Sequence, residues 1–243
     1  MLLTVDVGNT FVKVAVFEEV ELVDKFVFEL EKAKYNFETI FTTYPQASKL
    51  IYASVATVEP ALLTWLQERV EIYSLSHQSS FPFVNVYQTP ETLGIDRMVL
   101  AAGAVLKFPQ KTCLIIDAGT CITYDLVTSN GVYEGGAISP GIALRYLTLH
   151  DHTAKLPLLQ ATYFQNEVGK TTNESIHVGV VHGVLNEIEG FISKYSVNYQ
   201  DLTVILTGGD ANFLANRLKS TIFADENFLL KSLYSLHIYS LKK

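Results

Sequence analysis

Residues 1–17 read MLLTVDVGNTFVKVAVF, and residues 113–127 read CLIIDAGTCITYDLV. In the first stretch Leu3, Val5 and Val7 alternate as one buried strand, and Val12, Val14 and Val16 alternate as a second. Between them lies Asp6-Val7-Gly8-Asn9-Thr10, an acid and a glycine at the tip of an apolar hairpin. The second stretch repeats the order, with Asp117, Gly119 and Thr120 between two apolar strands. Asp6 and Asp117 are 111 positions apart, close to half the chain. Each opens three consecutive strand-like segments, first LTVDV, FVKVAVF and ELVDKFVFEL, then CLIIDAG, CITYDLV and GVYEGGAI. Alternating helix and strand follow each set. The spacing predicts two related α/β domains facing each other across a cleft, each contributing one polar hairpin tip.

Further elements follow from local signals. LIYASV and EIYSL read as strands, and ALLTWLQERV reads as a helix opened by Pro60. IDRMVLAAGAVLKF reads as a buried helix stopped before Pro109. SHQSSFPFVNVYQTPETLG reads as a polar loop. In the second half, Ile138-Ser139-Pro140-Gly141 leads into a helix through Leu144 and Tyr146. Residues 150–172 read as irregular and lid-like, Asn173 to about Tyr195 as one long helix, and LTVILTGGDANFLANRLKS as strand, Gly-Gly turn and helix. The tail contains an apolar, helix-compatible segment.

The totals narrow the function classes. With 243 residues, 49% hydrophobic, the chain can bury two cores of ordinary domain size, about 100–150 residues each. No stretch is long and apolar enough to span a bilayer, and no basic run precedes the first strand, so neither membrane nor signal peptide is expected. The net charge of −7 and the lack of a basic stripe argue against nucleic-acid binding, whose affinity comes from Lys and Arg on phosphates. Cys113 and Cys121 lie in apolar strand segments and are expected to be buried thiols of a cytoplasmic protein.

The hairpin tips suit phosphate chemistry. Glycine lets another group approach the backbone, and exposed N–H groups can point at phosphate oxygens. An acid beside phosphate must act through a cation or its water, as Mg²⁺ sites commonly do. Lys13, on the second strand, offers an ammonium to the phosphates. One Asp-x-Gly would be read as turn chemistry. Two copies at matching places in matching units favour a nucleotide clamp. Thr207-Gly208-Gly209-Asp210 follows an apolar strand and opens a helix, which suits a platform for adenosine. Two other strings carry less. Gly169-Lys170-Thr171 resembles the end of a P-loop, but the required glycine would fall at Phe164 and no strand leads into it. His150-Asp151-His152 lacks further metal ligands nearby.

An acceptor site is legible in Leu93-Gly94-Ile95-Asp96-Arg97, at the mouth of the apolar helix. Asp96 in the first turn is favoured as an anion by the helix dipole. Arg97 offers a planar fork suited to a carboxylate. The alternative is a capping acid beside a surface arginine.

DVGNT with Lys13, LGIDR, DAGT with Thr123, GGAISPG at 135–141, GKTT and TGG occur in that order. In this joint pattern the sequence resembles the type III pantothenate kinases, members of the acetate/sugar kinase–Hsc70–actin superfamily, over nearly its whole length. The resemblance implies two duplicated ribonuclease H-like domains of the actin-like ATPase type with a cleft between them. Residues 1–112 would carry the first phosphate loop and the acceptor helix, and 113–243 the second phosphate loop and the Gly-Gly turn on the adenosine side. It implies ATP-dependent phosphorylation of pantothenate to 4'-phosphopantothenate, opening coenzyme A biosynthesis, with Mg²⁺ and a monovalent cation, K⁺ or NH₄⁺. Asp6, Val7, Gly8, Asn9, Thr10, Lys13 and Thr120 would bind ATP. Asp117 would hold the monovalent cation, and Asp6 would meet Mg²⁺ through water. Tyr87, Gly94, Ile95, Asp96, Arg97 and Thr172 would bind pantothenate, with Asp96 accepting the hydroxyl proton and Arg97 meeting the carboxylate. A cytoplasmic homodimer is implied. The alternatives are a sugar-type kinase of the same superfamily, an actin-like nucleotide-dependent assembly protein, and a non-catalytic regulator that keeps the fold.

Overall fold

The structure, a computed structural model, describes residues 1–8 and 10–242. Its chain divides into two compact units. Unit 1 comprises Met1–Pro109, Gly131–Tyr133 and Asn227–Lys243, and unit 2 comprises Gln110–Asn130 and Glu134–Glu226.

Unit 1 is built on strands β1 (Leu2–Val7), β2 (Val12–Glu18), β3 (Glu21–Phe28), β4 (Lys49–Ser54) and β5 (Glu71–Ser74), with helices α1 (Ala33–Thr43) and α2 (Pro60–Gln67) between them. The strand order is β3-β2-β1-β4-β5. β1, β2 and β3 pair antiparallel, while β1, β4 and β5 are parallel. All six residues of β1 are buried, as befits a central strand covered on both faces. Edge strand β3 instead alternates, and its solvent face carries Glu21, Val23, Lys25 and Val27. One face of the sheet packs Leu3, Val5, Val7, Val14 and Leu50 against Phe37 and Ile40 of α1 and Leu66 of α2. Strand β6 (Val84–Asn85) and helix α3 (Ile95–Lys107) complete the first half of the chain. β6 pairs in parallel with Val132 and Tyr133, and α3 is buried from Ile95 to Ala104 except at Asp96.

Unit 2 repeats the plan with β7 (Cys113–Ala118), β8 (Cys121–Val127), β9 (Val132–Pro140), β10 (Thr203–Thr207) and β11 (Phe223–Ala224). The order β9-β8-β7-β10-β11 reproduces the five-strand order of unit 1 with β7 in the place of β1, and β6 adds a sixth strand beyond β9. β7 pairs antiparallel with β8 and parallel with β10. The helices are α4 (Ile142–Asp151), α5 (Thr172–His177), α6 (Gly183–Asn198) and the short α7 (Ala211–Ala215). Leu114, Ile116, Tyr124 and Leu206 of the sheet meet Tyr146 of α4 and Val184, Ile188 and Ile192 of α6. The duplicated α/β topology expected from the two hairpins, and the ribonuclease H-like fold implied by the resemblance, are therefore present.

Four local expectations differ from the structure. The last helix, α8 (Phe228–Ser240), belongs to unit 1, so the expected partition at 113–243 puts it on the wrong side. Its Phe228, Leu229, Leu230, Leu233 and Leu236 are buried, with Tyr234 stacked on Phe17 and His237 edge-on to Tyr73, each at 4.6 Å between centroids. A periodic apolar face demands a partner surface but does not say which sheet supplies it. The expected helix from Asn173 is a helical run from Thr172 to Asn198 interrupted by a π-type stretch, Val178–His182. α4 continues to Asp151, so His150 and Asp151 are helical, and His150 Nδ1 lies 2.8 Å from the Leu156 carbonyl. Cys113 is buried as expected, but Cys121 is exposed, because it opens β8 at the hairpin tip before the sheet closes over it.

Candidate active site

The first hairpin tip is closed by the Gly8 N–H, which donates to the Phe11 carbonyl at 3.1 Å. Asp6 stands opposite Lys13 in the register, and Lys13 Nζ lies 3.6 Å from Asp6 Oδ2. Val7 is buried and Thr10 exposed, while Asn9 lies outside the described residues. Asp6 is 6% exposed. Burial is the main force raising its carboxyl from the ordinary 3.8 to about 6. Lys13 pulls it back, and the negative charge of Asp96 pushes it further up. Asp6, Lys13 and Asp96 thus share one electrostatic neighbourhood within unit 1.

This arrangement predicts a pH-dependent stability. An acid whose pKa is raised on folding keeps a proton that the unfolded chain has already lost. Its contribution is therefore favourable below about 4, is lost as pH rises to about 6, and leaves a penalty above that. A shift of this size corresponds to about 3 kcal/mol. Asp6→Asn is expected to raise unfolding free energy at pH 7.5 by on the order of 2 kcal/mol, with the gain vanishing near pH 4. Urea unfolding of both proteins at the two pH values checks this, and a neutral or destabilised variant at pH 7.5 would contradict it.

The mouth of α3 gathers the acceptor residues. Gly94 caps the helix in extended backbone, Ile95 is buried, and Asp96 Oδ1 accepts the Arg97 backbone N–H at 2.8 Å. Arg97 is 6% exposed, so the alternative of a surface arginine is ruled out. Its guanidinium carbon lies 5.9 Å from the centre of the Tyr87 ring. Tyr87 is itself oriented, because its N–H donates to Asn85 Oδ1 at 2.9 Å and its ring lies 6.3 Å from that of Tyr133. Tyr133 is fully buried and is missed by a reading along the chain, since only pairing of β6 with β9 brings it here.

The second hairpin tip closes with the Gly119 N–H on the Cys121 carbonyl at 2.9 Å. Asp117 pairs in register with Thr123 on one side and Thr207 on the other. The position that Lys13 holds in unit 1 is therefore held by Thr123 in unit 2. The buried hydroxyls of Thr123 and Thr207 have no hydrogen-bond partner among the described residues. The Gly-Gly turn is fastened to the same tip. The Asp210 N–H donates to the Ala118 carbonyl at 3.0 Å, and Gly208 has φ +95°. A side chain at Gly208 would meet Ala118 O at 2.3 Å, so only glycine fits. Asp117 and Thr207 are thus neighbours in unit 2, with Thr120 exposed on the tip beside them in sequence.

Thr172 opens α5 and lines a groove of about 680 Å³ with Leu149, Leu156, Gly169 and Lys170. The preceding string is a helix cap and no P-loop. Thr171 Oγ1 accepts the Glu174 N–H at 3.2 Å, while Glu174 Oε2 accepts the N–H groups of Lys170 and Thr171. Among the described residues no cluster of three or more His, Cys, Asp or Glu could hold a metal ion, and no helix is long and apolar enough to cross a membrane.

The family model for type III pantothenate kinase matches residues 2–194. A type III pantothenate kinase from Flavobacterium johnsoniae is 51% identical over 241 residues, covering 99% of each chain. Among solved structures, a conserved Baf-family protein from Campylobacter jejuni aligns with a TM-score of 0.64 at 21% identity, covering 99% of this chain and all of the other. The activator of 2-hydroxyisocaproyl-CoA dehydratase from Clostridium difficile, solved with ADPNP bound, aligns with a TM-score of 0.56 at 11% identity, covering 99% of this chain and 96% of the other. At these identities the two structures speak for the fold.

Proposed function

Since this chain belongs to the type III pantothenate kinase family, we propose a role for each residue gathered at the two tips and the helix mouth. The enzyme transfers the γ-phosphoryl group of ATP to the hydroxyl of pantothenate, giving 4'-phosphopantothenate, the first step of coenzyme A biosynthesis. One observation carries the assignments: a buried Asp6, its partner Lys13 and a second carboxylate, Asp96, within mutual electrostatic reach. Phosphoryl transfer needs charge neutralisation on the phosphates and a group to take the hydroxyl proton. Lys13 and the tip from Asp6 through Thr10 serve the first need, Asn9 included. Thr120 serves it from the second tip. Asp96 serves the second need.

Arg97 receives the pantothenate carboxylate through its planar fork, with Tyr87 fixing the guanidinium. Gly94 and Ile95 shape the helix mouth, and Thr172 contributes from its groove. Asp117 with the orphaned hydroxyls of Thr123 and Thr207 is an all-oxygen donor set that fits a monovalent cation, K⁺ or NH₄⁺. Asp6, a single buried carboxylate, fits a Mg²⁺ held chiefly by phosphates and water. When bound, these ions supply positive charge against the phosphates of ATP. A homodimer is part of the same proposal. Unit 2 exposes Ile138, Leu147, Leu158 and Val168, which suits burial by a second copy, and sedimentation is expected to give a dimer mass. So is a cytoplasmic location, which the two free thiols suit.

The test is ADP production from ATP and Mg²⁺, with and without pantothenate, in potassium and in sodium buffer. Release that requires pantothenate and is stimulated by potassium is expected. Release driven by a hexose, or ATP-driven light scattering without an acceptor, would instead establish the sugar-kinase or the assembly alternative.

A further inference from the structure

A polar cluster behind the second tip has no part in the chemistry above. Glu187 on α6 receives three side-chain donors from three different elements. Its Oε1 accepts from the Tyr124 hydroxyl of β8 at 2.8 Å and the Ser139 hydroxyl of β9 at 2.5 Å. Its Oε2 accepts from Arg145 Nη2 of α4 at 2.7 Å. Burial works against the carboxylate, but donors from Ser139, Arg145 and Tyr124 outweigh it and hold Glu187 below the usual carboxylate range. The Arg145 and Glu187 side chains are 20% and 26% exposed, so solvent screens this pair only partly.

Arg145 carries the arrangement forward. Its Nε donates to the Pro140 carbonyl at 2.8 Å, and its Nη2 also reaches Ser139 Oγ at 3.3 Å. The next residue, Gly141, donates its N–H to the Thr120 carbonyl at 3.0 Å. Gly141 also lies against the tip so closely that a Cβ there would fall 2.0 Å from Gly119 O and 2.6 Å from Thr120 O. Pro140-Gly141 is thus a bracket pressed onto the Gly119-Thr120 turn, and the Arg145–Glu187 pair holds the bracket. An apolar pair of similar volume would stabilise the same core at least as well. What the charged pair adds is direction: a fork that fixes one carbonyl and, through it, one turn.

We propose that Glu187, acting through Arg145, is a positioning residue that fixes Pro140-Gly141 against Gly119-Thr120 and so sets the affinity of the second tip for ATP. The proposal rests on the reading that Thr120 meets ATP. Glu187 touches no substrate, so its effect is confined to nucleotide binding.

The test combines calorimetric titration of the full-length enzyme with a non-hydrolysable ATP analogue and steady-state kinetics. Glu187→Gln is expected to raise the analogue Kd and the KM for ATP about tenfold, the scale of one charge-assisted hydrogen bond. The KM for pantothenate and kcat at saturating ATP stay within about twofold. Arg145→Lys, which keeps the charge but loses the fork, is expected to behave alike. The double variant is expected to be no worse than the poorer single one, because both act through one bracket. Tyr124→Phe removes a single donor and gives a milder rise in Kd, and it serves should Glu187→Gln fail to fold. Thr120→Val separates the two levels. If Thr120→Val weakens analogue binding while folded Glu187→Gln or Tyr124→Phe does not, the positioning role is wrong and the site reading stands. If Thr120→Val leaves binding unchanged, the site reading itself fails. A parallel fall in kcat and in affinity for both substrates would mark a merely structural role and overturn the proposal.

Discussion

Asp96→Asn is expected to lower kcat about 10²–10⁴-fold while leaving ATP affinity within about twofold. Asparagine keeps the size of the side chain, and its Oδ1 can still accept the Arg97 N–H now bound at 2.8 Å. The helix mouth is therefore preserved, and what is lost is a group able to take the proton of the attacking hydroxyl. The loss belongs to the transition state, so it shows in kcat with little change in the KM for pantothenate. A second consequence can be read independently. Asp96 is one of the charges that raise Asp6, so its neutralisation lowers the Asp6 pKa below about 6. The interval over which stability falls as Asp6 loses its proton then shortens and the penalty above it shrinks, which urea unfolding against pH detects. Full turnover in the variant would remove Asp96 from the mechanism.

Arg97→Ala is expected to weaken pantothenate binding by about 2–5 kcal/mol, the usual cost of truncating one partner of a buried charged contact. At 25 °C that is a rise in KM of roughly thirtyfold to several thousandfold. Arg97 is 6% exposed and its guanidinium carbon is 5.9 Å from the centre of the Tyr87 ring, so substrate charge met there is shielded from water. The control is an acceptor in which an amide replaces the carboxylate. Wild-type enzyme is expected to use it poorly, and Arg97→Ala is expected to lose most of the discrimination between the two acceptors. Arg97→Lys retains charge without the planar fork and falls between. Equal affinity of wild type and Arg97→Ala for pantothenate would exclude the role. Thermal melting separates this from damage to the fold, since α3 is buried along most of its length.

The two largest expectations fall on residues that a reader of the sequence can find, because Asp96 and Arg97 are adjacent to each other and to Gly94. Local signals of this kind are short-range chemistry: a glycine that frees the backbone, a carboxylate in a first helical turn, a fork beside it. The repeated Asp-x-Gly hairpins are legible for the same reason, and the duplicated strand order follows from them. Cys121 shows where short-range reading stops. Its apolar neighbours suggest a buried thiol, yet its place as the first residue of β8 leaves it exposed.

The residues that hold the site are of another kind. Tyr133 reaches Tyr87 only because β6 pairs with β9, and Glu187 meets Tyr124 across 63 positions and Arg145 across 42. Each looks in sequence like an ordinary strand aromatic or helix-face charge. The same holds for α8, whose apolar face is plain but whose choice of sheet is not.

The order of residues by itself determined the duplication, the two glycine tips and the acid at the helix mouth, because each is encoded within a few consecutive positions, and the joint order of its motifs carried the resemblance to the family. Tertiary structure alone decided that Asp6 is buried beside Lys13 and near the charge of Asp96, that Asp117 pairs in register with two threonines whose buried hydroxyls lack a partner among the described residues where its counterpart pairs with a lysine, and that Glu187 gathers donors from three other elements. Charge, burial and bracing are set by what packs alongside from elsewhere in the chain, and a linear pattern does not carry that information.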